Sequence, residues 1–185
     1  REQKLTYEEL EEYSNRLAVW IAKNSQDRKR PVIVYGHKNP YMVVCFLACA
    51  KAGRSYVPQD ICIPVSRVDE TVLSVEPELT FVVEGDYQTE IGTEIRKDEI
   101  EEIVKQETNE TDVLQPLTKD EVWYIIFTSG STGKPKGVEI TRDCLSHYLD
   151  WSVQLGSTMK EKSGAHFMNQ APFSFCLLYT SPSPR

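Results

Sequence analysis

The sequence predicts an α/β fold built on a largely parallel sheet with flanking helices. Short β-branched or apolar runs alternate along the chain with stretches of helical periodicity, the pattern of strand–helix–strand units. The helix-like stretch 41–51 is apolar all the way round, which implies burial between layers. The apolar run at 122–127 (VWYIIF) reads as a buried strand, and it opens directly into a glycine-rich loop.

Each element has a local reason. Residues 5–24 carry Leu10, Tyr13, Leu17, Trp20 and Ile21 at helical spacing, and Thr6 with Glu9 makes a capping box, so an amphipathic helix is predicted there. Pro31 introduces a short β-branched strand at 32–35 that ends at Gly36. Asn39 and Pro40 suit the N-cap and first turn of the apolar helix at 41–51, and Gly53 stops it. A strand at 79–83 follows the break at Pro77, and a Glu-rich polar helix fills 98–107. The acidic, polar stretch 106–118 reads as a solvated connection. Beyond the glycine-rich loop, Val138, Glu139 and Ile140 can pair as a strand, and Thr141 can cap a helix with Leu145, Tyr148 and Leu149 on one face. There is no internal repeat.

Composition narrows the class. The 185 residues suit one ordinary domain, and the start at Arg1 without methionine reads as an interior piece of a longer chain. A net charge of −7 with scattered Lys and Arg argues against a general nucleic-acid binder. The five cysteines (Cys45, Cys49, Cys62, Cys144, Cys176) are odd in number and contain no CxxC pair, which fits reduced thiols in the cytoplasm. Cys45 and Cys49 sit four apart with no His or further Cys nearby and read as core residues. The longest near-continuous apolar run, 41–50, is short of the about 20 residues that span a bilayer, and no signal peptide is visible. His37, His147 and His166 stand beside no Ser or Cys nucleophile pattern and read as ordinary loop, helix and strand-like residues.

The chemistry concentrates in 128–137, TSGSTGKPKG. Gly130, Gly133 and Gly137 allow positive φ and close approach of backbone N–H groups to an anion, while Thr128, Ser129, Ser131 and Thr132 offer hydroxyl donors. Lys134 and Lys136 add positive charge. The loop is built to hold phosphate. It is not a Walker A loop, because Thr128 stands where that pattern needs Gly and Pro135 where it needs Ser or Thr. A flexible Gly/Ser turn is the bland alternative.

These ten residues resemble, at every position, the phosphate-binding signature of the adenylate-forming superfamily, which includes amino-acid adenylation domains, acyl-CoA synthetases and luciferases. The stretch 50–60 (AKAGRSYVPQD) resembles a second core motif of that superfamily, although alone it reads as a helix C-cap followed by a proline turn. The stretch 169–175 (NQAPFSF) resembles the segment of carrier-protein D-alanine ligases that leads into the amino-acid pocket, and 55–58 and 63–67 lean the same way. The resemblance implies that residues 1–175 are part of the N-terminal AMP-binding domain of such a ligase. The parent would use ATP and Mg²⁺ to adenylate D-alanine and pass it to the phosphopantetheine thiol of a D-alanyl carrier protein, in D-alanylation of teichoic acid. The loop would hold the β and γ phosphates, with Thr128 and Ser129 in direct contact, and no side chain of the enzyme need act as nucleophile.

At position 176 the family pattern has an aspartate that pairs with the substrate ammonium, and Cys176 stands there instead. The tail 176–185 leaves the pattern, resembles translated sequencing adapter and reads as non-native. The adenine-binding segment, the ribose-binding aspartate, the hinge and the C-terminal domain with its catalytic lysine lie outside this sequence, so the chain alone is expected to be inactive. An adenylation domain of a peptide synthetase, another adenylate-forming ligase and a noncatalytic nucleotide-binding module remain open alternatives.

Overall fold

A computed structural model of the chain describes residues 4–108, 110–129, 135–154 and 171–174. The architecture follows from its central strand, β1 (Val32–Tyr35), in which all four side chains are buried. A strand buried on both faces needs a layer on each side. The sheet has six strands in the order β4-β3-β1-β2-β5-β6, with β2 at Tyr56–Gln59, β3 at Leu79–Val82, β4 at Thr93–Arg96, β5 at Val122–Ser129 and β6 at Pro135–Thr141. Every pairing is parallel except β5 with β6, which are antiparallel. The α/β prediction with a largely parallel sheet is met.

The helices α1 (Tyr7–Asn24), α2 (Pro40–Lys51) and α4 (Lys97–Lys105) cover one face, where Leu17, Ile21, Val44, Cys45, Cys49, Ile100 and Val104 pack on Val32, Val34, Leu79 and Phe81. The other face is covered by α3 (Val65–Val75), whose Val68 and Val72 pack on Ile33, Tyr35, Val57 and Val82. Alternate residues of β1 thus belong to different cores, as the two-residue period of a strand requires. A fifth helix, α5 (Arg142–Gln154), follows β6.

The start signals read from the sequence operate as expected. Thr6 and Glu9 form the reciprocal capping box of α1, and the Asn39 side chain accepts the Tyr41 N–H with Pro40 in the first turn of α2. Past α2, Gly53 adopts φ +69°, and a Cβ there would stand 2.2 Å from the Gln115 carbonyl oxygen, so both the conformation and the space demand glycine. Arg54, which follows, is buried and donates through Nε to Ser25 Oγ at 3.0 Å. The Glu78 carboxylate accepts from Ser25 Oγ at 2.7 Å and from the N–H groups of Gln26 and Asp27 at 3.0 and 3.1 Å, tying the start of β3 to the end of α1. Burial alone would raise the pKa of Glu78, but those three bonds outweigh it and hold the carboxyl below its ordinary value.

Three elements escaped the sequence reading, β2 (Tyr56–Gln59) among them, since 50–60 alone reads as a helix end and a proline turn. The helix α3 carries its apolar residues at Val65, Val68, Val72 and Val75, a helical period hidden by β-branching; its N-cap is Pro64, which makes no side-chain cap bond. The strand β4 (TEIR) has Ile95 as its one buried residue, and its polar composition suits the edge position it occupies. Two other expectations need correcting. The strand β5 is half-buried along 122–128 rather than buried, because β6 and α5 leave part of its surface open. On α5, Leu145 is half-buried but Tyr148 and Leu149 are exposed, so the apolar face expected there is only partly covered. The connection 106–118 is largely solvated as expected, except that it contains a short 3₁₀ turn at Thr111–Val113 and buries Leu117.

Two outcomes follow from this packing. Leu17→Ala, at a fully buried site between α1 and α2, should lower the unfolding free energy by about 2–5 kcal/mol in urea titrations. Leu73→Ala, on the solvent side of α3, should change it by less than about 0.5 kcal/mol. The Glu78 tie predicts a pH signature. Because its folded pKa is depressed, its contribution is present above the unfolded pKa and is lost as pH falls through the folded one. Thermal melts should therefore show Glu78→Gln less stable than the parent at neutral pH, with the gap closing as the solution is acidified; a gap unchanged into strong acid would remove the carboxylate from the account.

Candidate functional site

The strands β2 and β5 are neighbours in the sheet, yet they pair at a single position, Tyr56 opposite Tyr124. The reason lies in β2. The carbonyls of Ser55 and Gln59 accept the N–H groups of Val32 and Gly36 at 2.9 and 3.0 Å, so residues 55, 57 and 59 direct their backbone toward β1. By alternation, Tyr56 and Pro58 direct theirs toward β5, and proline has no N–H to give. Pairing stops there and the strands part at their carboxyl ends. The stretch 50–60 is thus a helix end, a left-handed glycine and then a strand, rather than a proline turn.

The parting leaves a cleft of about 290 Å³. Gln59 from β2, Ile63, Pro64, Arg67 and Thr71 from the α3 region, Phe127 and Thr128 from β5, Pro135 from β6 and Ser174 line it. Ligand sites in open α/β sheets lie at such carboxyl ends. The segment carrying Ser174 is anchored by Phe173, whose ring meets Phe46 edge-on at 5.3 Å; Phe46 in turn stacks on Tyr56 at 4.4 Å. The family-like stretches 50–60, 63–67, 128–137 and 169–175 therefore reach the same cleft, through Gln59, Arg67, Thr128 and Ser174 among others.

Of the expected phosphate-holding residues, the structure describes Thr128 and Ser129 at the end of β5 and Lys136 on β6. Thr128 is opposite Lys136 and Ser129 is opposite Pro135. Thr128 Oγ1 lines the cleft and donates to the Lys136 carbonyl at 3.3 Å, a long bond that it can exchange for a better acceptor. Lys136 is exposed on β6. Gly130, Ser131, Thr132, Gly133 and Lys134 lie outside the described residues, as do the side chain of Ser129, His166 and residues 175–185. Gly137 departs from its predicted role. It is a strand residue without positive φ, and space there is tight, since a Cβ would come within 3.0 Å of Ile125 Cγ2 and 3.2 Å of the Phe127 ring.

Sequence reasoning missed Gln59, Arg67 and Thr71. Gln59 enters the cleft as the last residue of β2; Arg67 and Thr71 enter because α3 does, and the valine period of α3 was the signal that could have found those two. Arg67 is half-buried, and its guanidinium has no hydrogen-bond or ion-pair partner among the described residues. A guanidinium facing hydroxyls across a narrow cleft suits an anion. Among the described residues the cleft is lined by hydroxyl, amide, guanidinium and apolar groups and by no carboxylate, imidazole or thiol.

Elsewhere, burial pushes the thiols of Cys45 and Cys49 well up, which makes them inert core residues as expected. Among the described residues no helix is long and apolar enough to cross a membrane. His37 is not simply an ordinary loop residue, because its Nδ1 lies 2.8 Å from Asp60 Oδ2. Burial would raise the pKa of Asp60, but the Cys62 N–H and His37 bonds hold it below the ordinary range.

Comparison with known proteins gives the geometry a context. The chain is 39% identical over 179 residues to the D-alanine--D-alanyl carrier protein ligase of Bacillus thuringiensis (strain Al Hakam), an alignment covering 96% of this chain and 35% of that relative. The chain therefore spans about a third of the length of the curated relatives it matches. Among solved structures, the Klebsiella oxytoca NpsA N-terminal subdomain in complex with 3-hydroxybenzoyl-AMSN superposes with TM-score 0.63 at 25% identity, over 76% of this chain and 35% of that one. The O-succinylbenzoate coenzyme A synthetase MenE of Bacillus subtilis, in complex with AMP, shares the fold with TM-score 0.69 at 21% identity, over 84% of this chain and 41% of its own. A sequence model of the AMP-binding enzymes matches residues 1–181, a span that includes the whole cleft, and the chain belongs to that family.

Proposed function

We propose that the parent of this chain is an ATP-dependent, AMP-forming ligase that adenylates D-alanine and hands it to the phosphopantetheine thiol of a D-alanyl carrier protein. The single observation that supports the chemistry is the cleft between the carboxyl ends of β2 and β5, which Arg67 lines together with Thr128 at the start of the 128–137 stretch. The choice of D-alanine rests on the 39% identical ligase and on the 169–175 stretch.

In this reading the chain's part of the reaction is to hold and orient the leaving pyrophosphate. Thr128 and Ser129 hydroxyls donate to the β and γ phosphates, with Gly130, Ser131, Thr132 and Gly133 supplying close backbone approach and Lys134 and Lys136 adding charge. Arg67 offsets phosphate charge from the opposite wall. Donors fixed before the reaction stabilise the charge that develops on the departing group without reorganising at that moment. Mg²⁺, the metal that family chemistry implies, neutralises phosphate charge when bound, and it would enter on the phosphate oxygens with hydroxyl support, because no carboxylate lines the described cleft. No protein nucleophile is needed, since the carboxylate of the amino acid attacks the α-phosphate directly.

A full-length protein containing these residues should exchange labelled pyrophosphate into ATP only when an amino acid is added, fastest with D-alanine. Faster exchange with L-amino acids would move the parent to the peptide-synthetase adenylation domains, and faster exchange with fatty acids to other adenylate-forming ligases. In that protein Thr128→Ala with Ser129→Ala should cost about 1–3 kcal/mol in kcat/KM for ATP, as expected for lost bonds to a charged group. Arg67→Ala should raise KM for ATP, with partial recovery in Arg67→Lys. Unchanged exchange kinetics in all three variants would return the hairpin turn to a purely structural role.

A further inference from the structure

The carboxyl ends of β1 and β2 hold a second cluster, none of whose members lines the cleft. His37 stands on the loop after β1, Asp60 directly follows β2, and Cys62 lies in the turn that leads to α3. One donor atom from each, an imidazole nitrogen, a carboxylate oxygen and a thiol sulfur, all lie within 4.8 Å of one another. The three donors are held in place by the backbone. The Cys62 N–H donates to Asp60 Oδ1 at 2.9 Å, and the Ile63 N–H donates to the Asp60 carbonyl at 2.9 Å, so the 60–63 turn presets the carboxylate. The His37 N–H donates to Glu84 Oε2 at 3.3 Å, and the preceding Gly36 N–H donates to the Gln59 carbonyl at 3.0 Å.

Accessibility suits an ion that enters from solvent. The Asp60 side chain is only 4% exposed, whereas His37 is half-buried and Cys62 is exposed. Hydrogen bonds from His37 and from the Cys62 side chain to Asp60 already bring the three groups together, and the same three atoms converge as a ligand set. Nitrogen, oxygen and sulfur ligands together are the set taken by borderline divalent ions, and three protein ligands leave a position for water. Magnesium and calcium prefer all-oxygen shells.

We propose that His37, Asp60 and Cys62 form a binding site for a divalent transition-metal ion of the Zn²⁺ class. The ion takes the place of the hydrogens that now sit between Asp60 and its neighbours. Gln59 and Ile63, which bracket the Asp60–Cys62 segment, both line the cleft, so an occupied site pins the cleft's rim.

The test is titration of the 185-residue chain with Zn²⁺ by calorimetry and with Co²⁺ by absorption. One equivalent should bind, with a thiolate-to-Co²⁺ charge-transfer band. Outer-shell changes at metal sites cost about 10–100-fold in affinity, so loss of a ligand in Cys62→Ser or His37→Gln should cost at least about tenfold, and Cys62→Ser should abolish the charge-transfer band. Cys144→Ser and His147→Gln should leave both signals unchanged; His147 is the other described histidine near a carboxylate, Asp143. No binding to the parent chain, binding that survives Cys62→Ser and His37→Gln unaltered, or binding lost with His147→Gln would each overturn the site. The 60–63 turn is exposed at Cys62, so Cys62→Ser should melt like the parent, and a metal signal lost alongside an unchanged melt assigns the loss to the ligand.

Discussion

Burial of β1 on both faces is the constraint on which the rest of the structure depends. Val32 and Val34 belong to one apolar cluster and Ile33 and Tyr35 to the other, so neither layer can be removed without exposing half of the central strand. Helices α1, α2 and α4 must lie on one side and α3 on the other. The parallel crossovers place the loops after β1 and β2 at one end of the sheet, where His37, Asp60 and the rim of the cleft gather. Position at that end is a consequence of layering, and chemistry at that end is a consequence of which residues those loops carry.

Proline at position 58 converts the layered sheet into one with an opening. Pro58 has no N–H to give to β5, and the cleft that Thr128 and Arg67 both line lies beyond the one paired position. The aromatic column of Phe173, Phe46, Tyr56 and Tyr124 holds the two strands together on the side where they still pair. Offset and edge-on ring contacts of this kind add to the area they bury. The cleft is therefore open at one end and braced at the other.

The same end of the sheet supports two kinds of recognition. In the cleft the donors are hydroxyls and a guanidinium, which suit a diffuse, oxygen-rich anion. In the cluster beside it the donors are imidazole, carboxylate and thiol, which suit a compact cation. The two share the short connection from Gln59 to Ile63, and through it an ion at one could alter the shape of the other.

Much of this was legible in the sequence, because local signals and burial periods are written in neighbouring residues. Thr6 with Glu9, Asn39 with Pro40, and the apolar runs at 32–35 and 79–83 determined α1, α2, β1 and β3 by themselves, and the pattern at 128–137 carried the family resemblance. Only the tertiary structure decided that Gly137 sits in close quarters with Ile125 and Phe127 and does not take positive φ, since that depends on an antiparallel partner. It alone decided that β4 is a strand, because a single buried isoleucine on an edge carries no period. It alone brought Arg67 and Thr71 across from Thr128, and Cys62 and Asp60 to His37, because residues distant in sequence meet only where the sheet order and the missing N–H of Pro58 place them.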